Sequence, residues 1–227
     1  PAPLVIEANA SNVDAGNFVV NWANNTDQLL ISVSLDFHNG ATFSFPTNTG
    51  LTLNTGYSSW SSISSIVFYG VRDNINNALA SMTISTSTMK TAIKIGLEVS
   101  TYDATYKYNP VNKHFYKYVA SAAITYANAK SGASGNTFKG KTGYLVTITS
   151  QAEQDFINNN ITGNDLWFAL TDNVTDGTWV IDAGPELGTV IKTQNGQLTG
   201  NIAGQYNNWC TGEPNGSAHS EDYAVTK

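Results

Sequence analysis

The hydrophobic pattern of this chain changes near residues 102–113, and that change most constrains the fold. Upstream, apolar residues alternate in short runs separated by Gly, Asn and Ser, as in β-strands joined by turns. Downstream, Ala-rich and capped segments alternate with short apolar runs. The segment between them contains Pro110 and little apolar periodicity, so a domain boundary is placed there. The strand-like runs upstream are residues 29–37, 41–45, 63–70 and 91–99.

Residues 1–110 are predicted to form an all-β sandwich, because strands at these intervals pack best as two facing sheets. His38-Asn39-Gly40 is typical of a hairpin turn. One short helix is predicted in "DNINNALASM", where Ile75, Leu79 and Met82 follow i, i+4, i+7 spacing and Asp73 is the expected cap.

Residues 113–227 are predicted to be a mixed unit with two helices, which makes the whole chain α+β. One helix is expected over 121–132 from a Ser121 cap. The second is expected over 150–160, where Ser150 and Glu153 have capping-box spacing. Residues 183–206 are predicted to be a long functional loop. The strands expected here are 114–119, 143–148, 166–170 and 177–181.

Charge and composition exclude several classes of partner. The 227 residues include 17 acidic and 11 basic side chains, for a net charge of −6, without a Lys or Arg cluster. A nucleic-acid interface needs such a cluster. No apolar run approaches the roughly 18 residues of a membrane span. The lone cysteine, Cys210, allows no internal disulfide and is expected to be a small buried side chain.

A possible calcium site lies near the end of the chain. Ca²⁺ takes six to eight oxygen ligands, and Glu213 and Asn215 flank Pro214. If the Glu213–Pro214 bond is cis, both side chains point to the same side. The alternative interpretation is a solvated Pro-Asn-Gly turn. Asp172 and Asp176 are two further candidate ligands, and the alternative interpretation for them is an acidic turn.

The order of motifs resembles the C-type lectin-like domain over residues 113–227. The stretches that match are "GYLVTITSQAEQDFI", "LWFAL", "DGTWV", "GEPN" and "EDYA". The resemblance implies that Glu213, Asn215 and Glu221 hold a Ca²⁺ ion that also binds sugar hydroxyls, and Glu-Pro-Asn goes with mannose- or fucose-type sugars. It also implies an accessory Ca²⁺ held by Asp172, Asp176 and Asp222.

Two departures from the family pattern shape the expectations. The disulfides of animal members are impossible here, which favours a bacterial surface protein. The downstream Asn-Asp pair and the closing strand of the family do not follow "EDYAVTK". Three interpretations stay open: a tail was removed, another chain supplies it, or the domain is a degenerate variant. The opening stretch "PAPLVIEANA" is typical of mid-protein sequence, so the chain is interpreted as a fragment of a larger extracellular protein.

The function predicted from these features is calcium-dependent carbohydrate binding in a bacterial surface adhesin, with residues 1–110 as a spacer or stalk. The expected partner is a glycan on a host or neighbouring cell. The alternative is a protein-binding adhesion module on a lectin-like fold, with a protein receptor as partner. No enzyme is expected, because no Ser/His/Asp or Cys/His order is present. Nucleic-acid binding and membrane insertion are not expected.

Overall fold

The computed structural model describes residues 8–16, 18–36, 40–87, 93–163, 165–193, 200–215 and 221–226. The chain divides into two compact units, Pro1–Ala104 and Thr105–Lys227. The division lies before the predicted boundary, because Tyr106–Asn109 pairs with His114–Lys117 in a hairpin that opens the second unit. His38 and Asn39 of the predicted upstream turn lie outside the described residues.

The described residues of the first unit form two antiparallel sheets and one helix. One sheet has the strand order β4-β5-β2-β7 and the other has the order β1-β6-β3. The elements are β1 (Val13–Asp14), β2 (Leu29–Asp36), β3 (Thr42–Ser44), β4 (Thr52–Leu53), β5 (Ser65–Gly70), α1 (Arg72–Ala80), β6 (Thr83–Ser85) and β7 (Lys94–Thr101).

Both sheets and the helix contribute to one hydrophobic core. Alternate residues of β2 point into it, as the period-2 pattern predicts, and they are joined by Phe43 from β3, Phe68 from β5 and Leu79 from α1. Each side chain of this size contributes about 1.5–3 kcal/mol when fully buried. The apolar residues that alternate in the sequence therefore pack the two sheets together. That these sheets form a β-sandwich stays a prediction.

The predicted helix α1 is present, but its cap is not Asp73. The residue before the helix, Val71, makes no capping hydrogen bond through its side chain. Instead the amide of Asp73 donates to Oδ1 of Asn25 at 2.9 Å, and Asn25 lies far away in sequence. A side chain from a distant part of the sequence thus accepts from a first-turn N–H group, which a local N-cap side chain would otherwise satisfy.

Where the structure describes it, the second unit combines two helices with a sheet of strand order β15-β14-β13-β12-β16. No helix in the described part of either unit is long and apolar enough to cross a bilayer. The elements are β8 (Tyr106–Asn109), β9 (His114–Lys117), α2 (Tyr126–Gly135), β10 (Thr137–Phe138), β11 (Lys141–Thr142), α3 (Gln151–Asn160), β12 (Trp167–Thr171), β13 (Thr178–Ile181), β14 (Val190–Thr193), β15 (Gly200–Asn201) and β16 (Tyr223–Val225).

Three local predictions in this unit are wrong. Helix α2 begins at Tyr126 and not near Ser121, because Thr125 is the cap and accepts from the amide of Asn128 at 3.3 Å. Residues 143–148 are not a strand, although the amide of Ala169 donates to the Val146 carbonyl at 2.7 Å. Residues 183–206 are not only loop. They contain β14 and β15, and these strands of four and two residues are too short to show an alternating pattern.

Helix α3 confirms the predicted cap, with Ser150 Oγ accepting from the amide of Glu153 at 3.2 Å. The Glu153 carboxylate is buried, and it accepts hydrogen bonds from residues outside the helix. It accepts from the Thr149 amide at 2.8 Å, from Tyr116 Oη at 2.5 Å and from Asn112 Nδ2 at 3.0 Å. These bonds tie the β8–β9 hairpin to the start of α3.

Candidate functional site

Asp172 follows β12 directly and is buried, with only 6% of the residue exposed. Its Oδ2 accepts from the amide of Gly177 at 2.9 Å, which closes the turn between β12 and β13. Its Oδ1 is fully buried and has no hydrogen-bond partner. A buried carboxylate oxygen without a donor is costly, and a bound cation would satisfy it.

The electrostatic environment of Asp172 also favours a cation. Burial is the largest cause that raises the pKa of Asp172 above its ordinary value, and the charges of Asp222 and Asp176 raise it further. The hydrogen bond from Gly177 acts in the opposite direction. Asp222 and Asp176 thus both disfavour the ionised form of Asp172.

The pairing of β16 with β12 explains why Asp222 lies beside Asp172. The Asp222 carbonyl accepts from Thr171 Oγ1 at 2.7 Å and from the Asp172 amide at 3.2 Å. Thr171 is also the register partner of Tyr223. The sheet, and not the sequence spacing, brings this acid to the end of β12.

These acids fit a calcium ion only if other oxygens complete its shell. Among the described residues, no three His, Cys, Asp or Glu side chains form a group that could hold a metal ion. Ca²⁺ commonly adds main-chain carbonyls, amide oxygens and water to its carboxylate ligands. The orphaned Oδ1 of Asp172 is the observation that fits a cation, and the other ligands stay predictions.

The second candidate location is the Glu213-Pro214-Asn215 segment. The Glu213–Pro214 peptide is cis, the geometry that the calcium hypothesis requires. Asn215 donates two hydrogen bonds to the Glu213 carboxylate. Its main-chain N–H donates to Oε2 at 3.1 Å, and its side-chain Nδ2 donates to Oε1 at 3.0 Å. Both side chains thus lie on one side of the loop. Pro214 is buried, whereas Asn215 is exposed.

Glu221, the third predicted sugar-binding residue, is exposed and precedes β16. Residues 216–220, including His219, lie outside the described residues. That Glu221 meets Glu213 and Asn215 at one ion stays a prediction.

Two tryptophans and a lysine support the Glu213–Asn215 loop. The Trp209 and Trp179 rings meet edge to face with centroids 4.9 Å apart, and Trp179 is almost fully buried. Lys192 Nζ lies 5.6 Å from the centroid of the Trp209 ring and donates to the Glu213 carbonyl at 3.4 Å. Trp209 thus connects the buried Trp179 ring to the lysine that contacts the loop.

Sequence reasoning missed Lys192, because its segment was interpreted as loop and no motif marks it. The interpretation of Cys210 as buried is wrong, because the thiol side chain is exposed. It follows Trp209, and only the tryptophan packs inward against the sheet.

The comparisons with known proteins identify part of the second unit. The family model of the lectin C-type domain matches residues 134–226, so that segment is a C-type lectin-like domain. The resemblance inferred from the motifs is confirmed over this range.

Two relatives were found among curated proteins. Halomucin of Haloquadratum walsbyi is 28% identical over 203 residues, or 87% of this chain and 2% of that protein. The low affinity immunoglobulin epsilon Fc receptor of Mus musculus is 35% identical over 85 residues, or 37% of this chain and 20% of the receptor. The Halomucin match is longer than the second unit, so it extends into the first. No solved structure gives a significant match.

Proposed function

We propose that the second unit binds carbohydrate in a calcium-dependent manner and that the whole chain belongs to an extracellular surface adhesin of bacterial type. The observation that carries this proposal is the shared orientation of the Glu213 and Asn215 side chains on a C-type lectin-like domain. The extracellular setting is supported by the names of the relatives, one a mucin and the other a receptor. The first unit acts as a spacer, and no catalytic step is assigned to either unit.

The chemistry follows from the oxygen and nitrogen atoms that the loop presents. Glu213, Asn215 and Glu221 would hold a Ca²⁺ ion, which supplies positions that two neighbouring sugar hydroxyls can occupy. The Glu213 carboxylate accepts a hydrogen bond from a hydroxyl, and the Asn215 amide nitrogen donates one. An acceptor next to a donor suits the equatorial 3- and 4-hydroxyls of mannose-type sugars, and fucose-type sugars offer an equatorial pair at their 2- and 3-hydroxyls.

Asp172, Asp176 and Asp222 act as a second, structural cation site in this proposal. The buried Oδ1 of Asp172 supports it, together with the repulsion from the two neighbouring acids. A cation there would stabilise the turn between β12 and β13 and the start of β16.

Retention on mannose-agarose tests the proposal. The chain should be retained in millimolar Ca²⁺ and released by EDTA, and Glu213→Ala should abolish retention. Asp155→Asn, at an exposed acid on α3, is the matched control and should behave as wild type. Retention that EDTA leaves unchanged, or its absence on both mannose and fucose resins, would overturn the carbohydrate proposal.

A protein-binding adhesion module is the second candidate function. The observation that favours it is the match to a receptor whose name specifies an immunoglobulin Fc as ligand. Binding to intact cells separates the candidates. Periodate cleaves sugars between carbons that carry neighbouring hydroxyls. Treating the cells with periodate should therefore eliminate binding to a glycan. Binding that survives periodate and EDTA but is lost after protease treatment indicates a protein partner.

A further inference from the structure

Lys192 places a positive charge beside the proposed sugar site. It lies on β14 opposite Trp179 of β13, so the sheet fixes its main chain. Its ammonium group is held between the face of Trp209 and the Glu213 carbonyl. The side chain is half-buried. Lys192 is therefore oriented toward the loop and does not extend freely into solvent.

The charge of Lys192 is not neutralised by a neighbouring acid in the described part of the chain. The ion pairs there join Arg72 with Asp73, Lys94 with Asp36 and Lys130 with Asp182, and none includes Lys192. Its bond to Glu213 goes to the main-chain carbonyl and not to the carboxylate. The ammonium group thus lies next to the hydroxyl-binding pair without an ion-pair partner among the described residues.

The charge balance of the occupied site decides which ligands this lysine favours. The two positive charges of Ca²⁺ would be balanced by the carboxylates of Glu213 and Glu221, and Asn215 is neutral. Lys192 then leaves one uncompensated positive charge at the loop. Without calcium the same three charged groups sum to one negative charge, so the preference depends on the ion.

We propose that Lys192 makes this site prefer sugars that bear an anionic substituent, a sulfate ester or a carboxylate, next to the coordinated hydroxyls. The inference rests on the proposed function, because it needs a sugar at Glu213 and Asn215. Partly exposed ion pairs of this kind change affinity by about two- to five-fold. Salt should weaken the effect, since the Debye length falls to about 3 Å at 1 M ionic strength.

The test compares two probes in the presence of Ca²⁺, methyl α-D-mannopyranoside and its 6-sulfate ester. Each should compete with immobilised mannose for the wild-type chain, and the sulfate should bind about two- to five-fold more tightly. In Lys192→Gln the ratio of the two affinities should fall to about one. Lys141→Gln, which removes an exposed lysine on β11, is the charge-matched control and should keep the ratio.

The ratio separates charge recognition from a role in bracing the loop. A brace would weaken both sugars equally in Lys192→Gln and leave their ratio unchanged, and that result would overturn the inference. So would equal binding of both sugars by wild type, or a preference for the sulfate that persists at 1 M salt. If neutral mannose binds but the sulfate binds no better, only this inference falls. If neither sugar binds in Ca²⁺, the proposed carbohydrate function falls with it.

Discussion

The Asp172→Asn substitution tests the cation site at the end of β12. Asn has the same shape as Asp and can keep the hydrogen bond from Gly177, but it places a neutral amide where the orphaned Oδ1 now lies. The variant loses the repulsion from Asp222 and Asp176 and gains an unsatisfied buried N–H group, which costs about 1–3 kcal/mol. Because the two changes oppose each other, we expect similar stability for variant and wild type in EDTA.

Calcium should separate the two proteins. Sites in extracellular modules have dissociation constants of about 10⁻⁴–10⁻³ M. At 10 mM Ca²⁺, ligand linkage then adds about 1.4–2.7 kcal/mol to the free energy of unfolding. For a domain of this size that gain raises Tm by roughly 5–10 °C. Asp172→Asn should lack the part of this rise that comes from the Asp172 site and keep any part that comes from the Glu213 site, whereas Asp155→Asn should show the full rise.

The pH dependence follows from the direction of the pKa shift. Because the pKa of Asp172 is raised in the folded state, its contribution to stability is fully present below the unfolded pKa, near 3.8. In EDTA this contribution is lost as pH rises through the folded pKa. The calcium-dependent gain should appear over the same interval, since the ion needs the ionised carboxylate.

Thermal unfolding followed by tryptophan fluorescence, in EDTA and in 10 mM CaCl₂ between pH 4 and 8, measures both effects. Trp179 and Trp209 pack together in the second unit and report its unfolding. Equal calcium-dependent gains in wild type and Asp172→Asn would refute the reasoning. So would the absence of any gain in wild type at pH 7.

Three further predictions concern the second unit. Glu153→Gln should lower the free energy of unfolding, measured in urea, by about 3 kcal/mol, because four donors converge on this buried carboxylate. A loss as small as that of Asp155→Asn would contradict this prediction. Burial, followed by the charges of Glu186 and Glu153, raises the pKa of Tyr144 to about 12. Stability should therefore fall as pH rises from about 10 to 12, and Tyr144→Phe should reduce that fall in alkaline urea titrations; an undiminished fall in the variant would contradict this. Glu213→Gln combined with Asn215→Asp should shift retention from mannose- to galactose-agarose, and an unchanged mannose preference would count against the loop as the sugar site.

Elements with strong local signals were predictable. The Ser150 cap with Glu153 three residues later marks α3, and the alternation of Leu29, Ile31, Val33 and Leu35 marks β2. Both signals are local, since a cap and a period-2 pattern act within a few residues. The cis Glu213–Pro214 bond was also anticipated, from the chemistry of the flanking side chains.

The errors arise where distant residues determine local structure. Asp73 was expected to be the cap, but its own amide lies inside the first turn and donates to Asn25, and nothing near Asp73 in the sequence signals that contact. Lys192 is placed by pairing with Trp179 and by the ring of Trp209, so its position depends on tertiary contacts. The burial of Asp172 likewise depends on its sheet neighbours, which the spacing of acids does not show.

The two proposed ion sites are linked through a single main-chain segment. Glu221 and Asp222 are adjacent, and the Asp222 carbonyl is fixed by Thr171 and by the amide of Asp172. A cation bound by both Asp172 and Asp222 would tie this segment to the end of β12, in place of the repulsion between the two carboxylates, and Asp172→Asn removes the charge that such an ion needs. Glu221 would then be held in place before a sugar arrives. Asp172→Asn should therefore weaken retention on mannose, even though Asp172 itself is buried and is not one of the residues proposed to contact sugar.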